Sequence, residues 1–304
     1  MFVVHLLLIF GLCLGLLVVW RLHAGVAGTT AVTAIPWCWG AILLWIASTV
    51  VNWLVPETSA GLVDQFWYWT GVTSLCPPIA VLGARRPTDR VWPWFVLAPL
   101  VVVLGWPAMT LWTTGPVWIR LQVESPVAVG FVLVTVMGLG NYAGTRLSLS
   151  VMLAGFAILA ILLPFATFAP EAAWHGRLRE TGVALMVLSL LLAYRAMRGT
   201  MHFDSPFDRV LWEFREMFGL VWSVRILERL QEQARRDQLK LEWTPHGVTW
   251  QDQSPVERER AERQIAHTLR WLLRRFVSSA WLDARQLPAS EQLDPSEAPP
   301  TIDS

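Results

Sequence analysis

The densest chemistry inside the apolar part of this chain is Thr73-Ser74-Leu75-Cys76-Pro77-Pro78, a thiol and two adjacent prolines behind two hydroxyls. Pro77 and Pro78 carry no N–H, so a helix through them leaves the carbonyls of Thr73 and Ser74 without partners. In hydrocarbon an unmet carbonyl is costly. Two readings follow. The hydroxyls of Thr73 and Ser74 satisfy the broken turn and the site is a bend. Alternatively, freed carbonyls and a soft thiol contact a substrate or cation, as broken helices do in transporters. Pro36, Pro99, Pro107 and Pro164 also lie in apolar runs, which makes bending a general habit of this chain. Cys13, Cys38 and Cys76 all sit in apolar runs without metal spacing. Such cysteines behave as small buried hydrophobes.

Other reactive groups in the apolar runs are few. Asp64 opens the third run and His5 lies near the start of the first, while Asn52 and Asn141 are polar but neutral. Asp64 belongs either to the headgroup zone or to a cavity; Asn141 and Asp64 join the Cys76 group as candidates for a substrate path. Proton-coupled pumps and membrane metalloenzymes need ionisable side chains on their spans, and the shortage argues against both. The six histidines, at 5, 23, 175, 202, 246 and 267, form no two-His helix spacing. No metal, cofactor or catalytic residue is expected.

These residues must be positioned by membrane helices. Of 304 residues, 54% are hydrophobic and the mean hydropathy is +0.45, too apolar for an ordinary soluble domain. A span needs about 20 apolar residues. Seven runs qualify, at about 2–20, 32–54, 62–83, 92–113, 126–143, 147–169 and 181–197. Arginine placement sets the orientation. With the N-terminus outside, inner loops hold Arg21, then Arg85, Arg86 and Arg90, then Arg146, with Arg195 and Arg198 after the last span; outer loops hold Arg120, Arg177 and Arg179. The alternative, a cleaved signal peptide, lacks the Lys or Arg that normally precedes its apolar stretch. Lys240 is the only lysine, which suggests a GC-rich genome and hence a bacterial plasma membrane. Many of the 19 tryptophans fall near span ends, among them Trp20, Trp53, Trp67, Trp92, Trp94, Trp112, Trp118 and Trp174, as an aromatic belt would. Gly11 with Gly15, and Gly140 with Gly144, are G-x-x-x-G pairs that allow close helix approach.

Residues 1–198 hold ten arginines and six carboxylates, whereas 199–304 hold fourteen basic and seventeen acidic residues. The boundary marks a transmembrane helical bundle (1–198), a mainly helical cytoplasmic domain (199–286) and an acidic, Pro-rich disordered tail (287–304). The slightly acidic balance gives no ground for nucleic-acid binding. "SPFD" at Ser205 and "SPVE" at Ser254 each supply a Ser N-cap, a first-turn Pro and an acid three residues on. The first helix is expected to run unbroken to about 238, with Phe207, Phe214 and Trp222 on one apolar face. That face packs on the second helix, or on the membrane or a partner. Between the helices, "LKLEWTPHGVTWQ" alternates around a turn and predicts a short β-hairpin. Arg263, Arg270 and Arg274, around His267, form either a solvated ion-paired face or a contact for anionic headgroups.

The segments "FDRVLWEFREMFGLVWSVR", "LRWLLRRFVSSAW" and "CPPIAVLGARRP" resemble those of uncharacterised multi-pass bacterial integral membrane proteins. The resemblance implies architecture only. The expectation is an all-α membrane protein of about seven spans. Its cytoplasmic helical domain docks a protein partner in an assembly, scaffold or receptor-like role. A permease for a neutral or lipidic molecule is the alternative.

Overall fold

A computed structural model of the chain describes residues 2–56, 59–83, 92–114, 120–168, 174–199, 201–203, 205–244, 247–251 and 254–287. The apolar runs all form helices: α1 (Phe2–Gly25), α2 (Ile35–Leu54), α3 (Ala60–Ser74), α4 (Cys76–Gly83), α5 (Trp92–Thr114), α6 (Ser125–Gly140), α7 (Ser148–Leu162) and α8 (His175–Arg198). Five helical stretches are long and apolar enough to cross a membrane: Val3–Gly25, Thr30–Leu54, Trp94–Leu111, Ser148–Phe165 and His175–Arg198. The chain is thus mostly helical and membrane-type. Of the remaining apolar helices, α6 has 16 residues, and α3 and α4 are the two parts of one run interrupted at Leu75.

The interruption is the Cys-Pro-Pro stretch. Leu75 N–H turns back to Val72 O at 3.2 Å. The Ser74 hydroxyl donates to Thr70 O at 2.6 Å and accepts from the Trp45 indole at 3.0 Å. That bond, with Ser48 to Thr70 at 2.7 Å, ties α2 to α3 through polar contacts in an otherwise apolar interface. Elsewhere in the bundle small residues set the helix spacing. A Cβ on Gly11 would lie 2.5 Å from Val187, and one on Gly15 would lie 2.6 Å from Leu190, so this G-x-x-x-G pair seats α1 against α8 of its own chain. Exposed apolar side chains, including Leu7, Phe10, Val103, Leu133 and Phe156, cover the outer surfaces of these helices, as lipid-facing positions require. Trp20, Trp94 and Trp174 are exposed near helix ends, whereas Trp67 is buried and packs edge-on to Trp45. The side chains of Trp92, Trp112 and Trp118, the arginines at 85, 86 and 90, and the acidic tail from 288 onward lie outside the described residues.

Beyond α8 come α9 (Pro206–Arg236), a hairpin of β1 (Leu241–Thr244) and β2 (Gly247–Trp250), α10 (Pro255–Leu273) and α11 (Ser279–Asp283). The strands are antiparallel with Leu241 opposite Trp250. Both expected N-caps are formed: Ser205 Oγ accepts from Phe207 N–H, and Ser254 and Glu257 close a full capping box. Asp208 does not close a box at the first of them. It reaches the hairpin instead, accepting from Val248 N–H at 2.9 Å. Two strands alone are marginal; this anchor and the packing of Leu241 and Trp243 into the core hold them.

The long helix departs from the expected unbroken course. Gly219 has φ 77° and ψ −172°, so α9 is two helical segments joined at a kink. One apolar core runs from Cys76, Ile79 and Ala80 of α4 and Leu97 of α5 into Phe207, Phe214 and Phe218 of α9 and Ile265, Leu269 and Leu273 of α10. A second core, with Trp45, Trp67, Tyr68, Phe131, Ile158 and Ile161, lies wholly within the bundle. The C-terminal segment is therefore packed on the bundle and shares its interior.

Candidate functional site: the junction of bundle and C-terminal segment

Two loops of the bundle hold the C-terminal segment, at three contacts. Asn141, at the end of α6, faces the kink. A helix break frees backbone groups that need partners. Here Asn141 meets three of them: its Nδ2 donates to Phe218 O at 2.9 Å, its Oδ1 accepts from Val221 N–H at 2.9 Å, and its backbone carbonyl accepts from Leu220 N–H at 2.7 Å. Glycine is required at 219 twice over. Its φ is positive, and a Cβ there would fall 2.3 Å from Asn141 Nδ2 and 2.5 Å from Asn141 O. The neighbouring Tyr142 hydroxyl donates to Met217 O at 3.2 Å.

The second contact centres on Arg146, in the same loop. Its backbone N–H donates to Glu216 Oε2 at 3.0 Å, its guanidinium donates to Gly199 O at 2.9 Å, and its Cζ lies 4.1 Å above the Trp212 ring. Burial lifts the Glu216 carboxyl above its ordinary value, opposed by Arg146 and Arg215 beside it. In the third contact the α1–α2 loop pairs with the chain after α10. Thr30 N–H donates to Phe276 O at 2.8 Å, and Ser278 N–H donates to Gly28 O at 2.8 Å.

Between these contacts lies a cavity of about 800 Å³. Its wall carries five arginines, Arg21, Arg146, Arg198, Arg209 and Arg285, against two carboxylates, Glu213 and Glu216. Glu213 is paired with Arg209 at 3.0 Å and Arg285 at 2.5 Å. Burial lowers the Arg285 pKa from its ordinary value, partly offset by Glu213. Leu22, Val26, Met197, Met201 and Met217 supply an apolar side to the same cavity.

The residues singled out from sequence do not converge on one place. Cys76 is fully buried, its thiol donating to Val72 O at 3.6 Å, and Pro78 packs against Gly138 of α6. Thr73 is half-buried with its methyl near Gly40 of α2, and Pro77 is half-buried. Asn141 lies instead at the junction.

Asp64 is buried at the other end of the bundle. Its Oδ1 lies 2.5 Å from Arg179 Nη2 and its Oδ2 accepts from Leu121 N–H at 3.3 Å. Sequence reading placed Arg179 in a loop because the apolar run starts only at 181. The helix begins a turn and a half earlier, at His175, which carries Arg179 into the bundle wall. Opposite charges at matching ends of the third and last runs were the available signal. His5 joins this end, 3.7 Å from Glu180 and stacked on Trp53. Near Tyr68 an apolar cleft of about 400 Å³ opens between α6 and α7, lined by Phe131, Phe156 and Phe165.

In the C-terminal segment, Phe207 and Phe214 are buried and Trp222 packs edge-on to Phe276, so the aromatic face is covered by α10 and its following turn. Arg270 is bonded to Asp283 at 2.8 Å and to Leu287 O. Arg263, His267 and Arg274 remain on the outer face with Trp271, which is 49% exposed. Trp271 and His267 border a cleft of about 330 Å³ between α9 and α10, opposite Arg229, Glu232 and Arg236. Among the described residues no group of three His, Cys, Asp or Glu is placed to hold a metal. Comparison with protein-family models, with curated proteins and with solved structures returns no match.

Proposed function

We propose that this is a non-catalytic multi-pass protein of a bacterial plasma membrane whose C-terminal helical segment is a fixed cytoplasmic platform for a protein partner. In this reading α3 and α4 together make one span and α6 another, giving seven, with the N-terminus outside. Support for a common inner face comes from the α1–α2 and α6–α7 loops, both of which meet the C-terminal segment, and from the end of α8, which Arg146 of the α6–α7 loop contacts at Gly199.

The observation that carries the reading is the half-exposed Trp271 beside the α9–α10 cleft, with Arg263 and Arg274 on the same outer face. Phe207, Phe214, Phe218, Trp222, Trp243, Phe276 and Trp281 of the segment are already packed in the apolar core. An indole flanked by guanidiniums suits an apolar anchor with acidic neighbours, and Trp and Arg dominate interface energetics. The segment is also latched to the bundle, so a partner bound there is held at a set place relative to the membrane.

Photo-crosslinking in intact membranes tests this. A benzoylphenylalanine at 271 or 267 is expected to give one discrete adduct, lost when Arg263 and Arg274 are both changed to Glu. The same label at buried position 214 should give only intrachain products. Absence of any adduct from 263, 267, 271 and 274 would overturn the reading.

A further inference from the structure

We propose that the junction cavity is a binding site for a phosphate group, carried by an amphiphile of the adjacent leaflet and clamped by Arg21 and Arg198. The argument begins at Tyr194. Arg21, near the end of α1, donates through Nη1 to the Tyr194 hydroxyl at 2.5 Å, and Arg198 donates through Nη2 to the same oxygen. Their Cζ atoms lie 4.9 Å and 4.4 Å from the Tyr194 ring centroid. Two cations are thus gathered on one neutral phenol. A phenol oxygen and a ring face attract each guanidinium but do not cancel the repulsion between two of them.

The described carboxylates of the cavity wall do not neutralise them. Glu213 is engaged by Arg209 and Arg285, and Glu216 by Arg146 and Arg215. Among the described residues, neither Arg21 nor Arg198 has a carboxylate partner. Converging guanidinium forks match the geometry of a phosphate oxyanion better than that of any single-point anion. The cavity holds about 800 Å³, more than a phosphate needs, and its wall also includes Leu22, Val26, Met197 and Met201, with His202 and Phe203. A site lined by both arginines and aliphatic side chains fits an amphiphile. Arg21 lies near the end of α1 and Arg198 in the last turn of α8, two membrane-type helices, at the depth where headgroups lie.

The purified full chain in nanodiscs provides the test. Discs of phosphatidylcholine alone are compared with discs containing phosphatidylglycerol, and a third arm adds inorganic phosphate to the protein in neutral detergent. Bound lipid is read by native mass spectrometry and binding strength by the shift in apparent Tm. Wild type is expected to retain phosphatidylglycerol. The R21Q/R198Q variant should bind it at least tenfold more weakly, because charge-assisted hydrogen bonds are lost at both forks. Arg195 also lies on α8 but outside the cavity wall. Arg195→Gln removes one unit of charge, as Arg198→Gln alone does, and should retain wild-type binding where Arg198→Gln weakens it, which separates the site from general attraction to an anionic surface. Stabilisation by inorganic phosphate alone, lost in the double variant, would assign the phosphate to a soluble source. Equal lipid retention by wild type and double variant, with no phosphate effect, would overturn the proposal.

Discussion

A single carboxylate shows how the bundle treats charge. Asp64 is 4% exposed and Arg179 is 8% exposed, and each is the other's counterion. Leu121 N–H adds a second bond to Asp64. Removing one partner of such a pair strands the other in a poorly polar wall, at a cost of about 3–5 kcal/mol. Replacing both with apolar groups of similar size avoids that loss. Asp64→Ala is therefore expected to lower the apparent Tm in detergent by several degrees, and Asp64→Leu with Arg179→Met to recover most of the drop. A double variant as unstable as the single would show that the pair contributes more than mutual neutralisation. The sequence marked Asp64 as unusual but could not assign its role. Its counterion is 115 positions away, on a helix whose first turns are too polar to read as part of a span.

At the scale of elements, α9 is governed by its kink. Gly219→Ala forces a side chain into a positive-φ position and against the Asn141 backbone. The strain alone is worth about 1–3 kcal/mol. Because the obstructing atoms include a carbonyl, the expected effect is release of the α6–α7 loop from α9, seen as faster hydrogen exchange at Leu220 and Val221. Unchanged exchange there would refute the assignment of Asn141 as the latch. The same contact gives a pH dependence. Glu216 is lifted above its ordinary 4.5 by burial, so it binds a proton more tightly in the folded chain than in the unfolded one. Its contribution to the fold is fully present below 4.5 and is lost as pH rises through the raised value. Exchange over residues 215–223, corrected for intrinsic rates, should increase across that interval in wild type and stay flat in Glu216→Gln. The elements themselves were largely legible. Ser-Pro caps, 3.6-residue periodicity and the alternating hairpin each encode local structure. A glycine inside the apolar pattern "EMFGLVW" was the one local sign of the break, and its cause lies in the distant Asn141 loop.

For the whole molecule, the seven-span reading makes a definite claim about sidedness. A single cysteine at Glu124, exposed between α5 and α6, and one at Val256, 78% exposed at the start of α10, should label from opposite sides. In a variant lacking Cys13, Cys38 and Cys76, an impermeant maleimide added to intact spheroplasts is expected to modify position 124 and not 256. Labelling of both, or of 256 alone, would reverse or break the topology. The division into an apolar half and a charged half was plain from composition. What composition could not convey is that the two halves share one interior, because Phe214 and Phe218 meet Cys76 and Ile79 only after the chain has folded back.

The pairing of Gly28 and Thr30 with Ser278 and Phe276 also imposes an order in time. During synthesis the loop after the first helix emerges tens of seconds before the residues that complete it, at ordinary elongation rates. Until then its backbone amide and carbonyl groups must be satisfied by water or headgroups. A ribosome stalled short of Phe276 would thus leave every apolar helix made and the base of the first hairpin still open, a half-finished product that quality-control proteases could distinguish from the mature form.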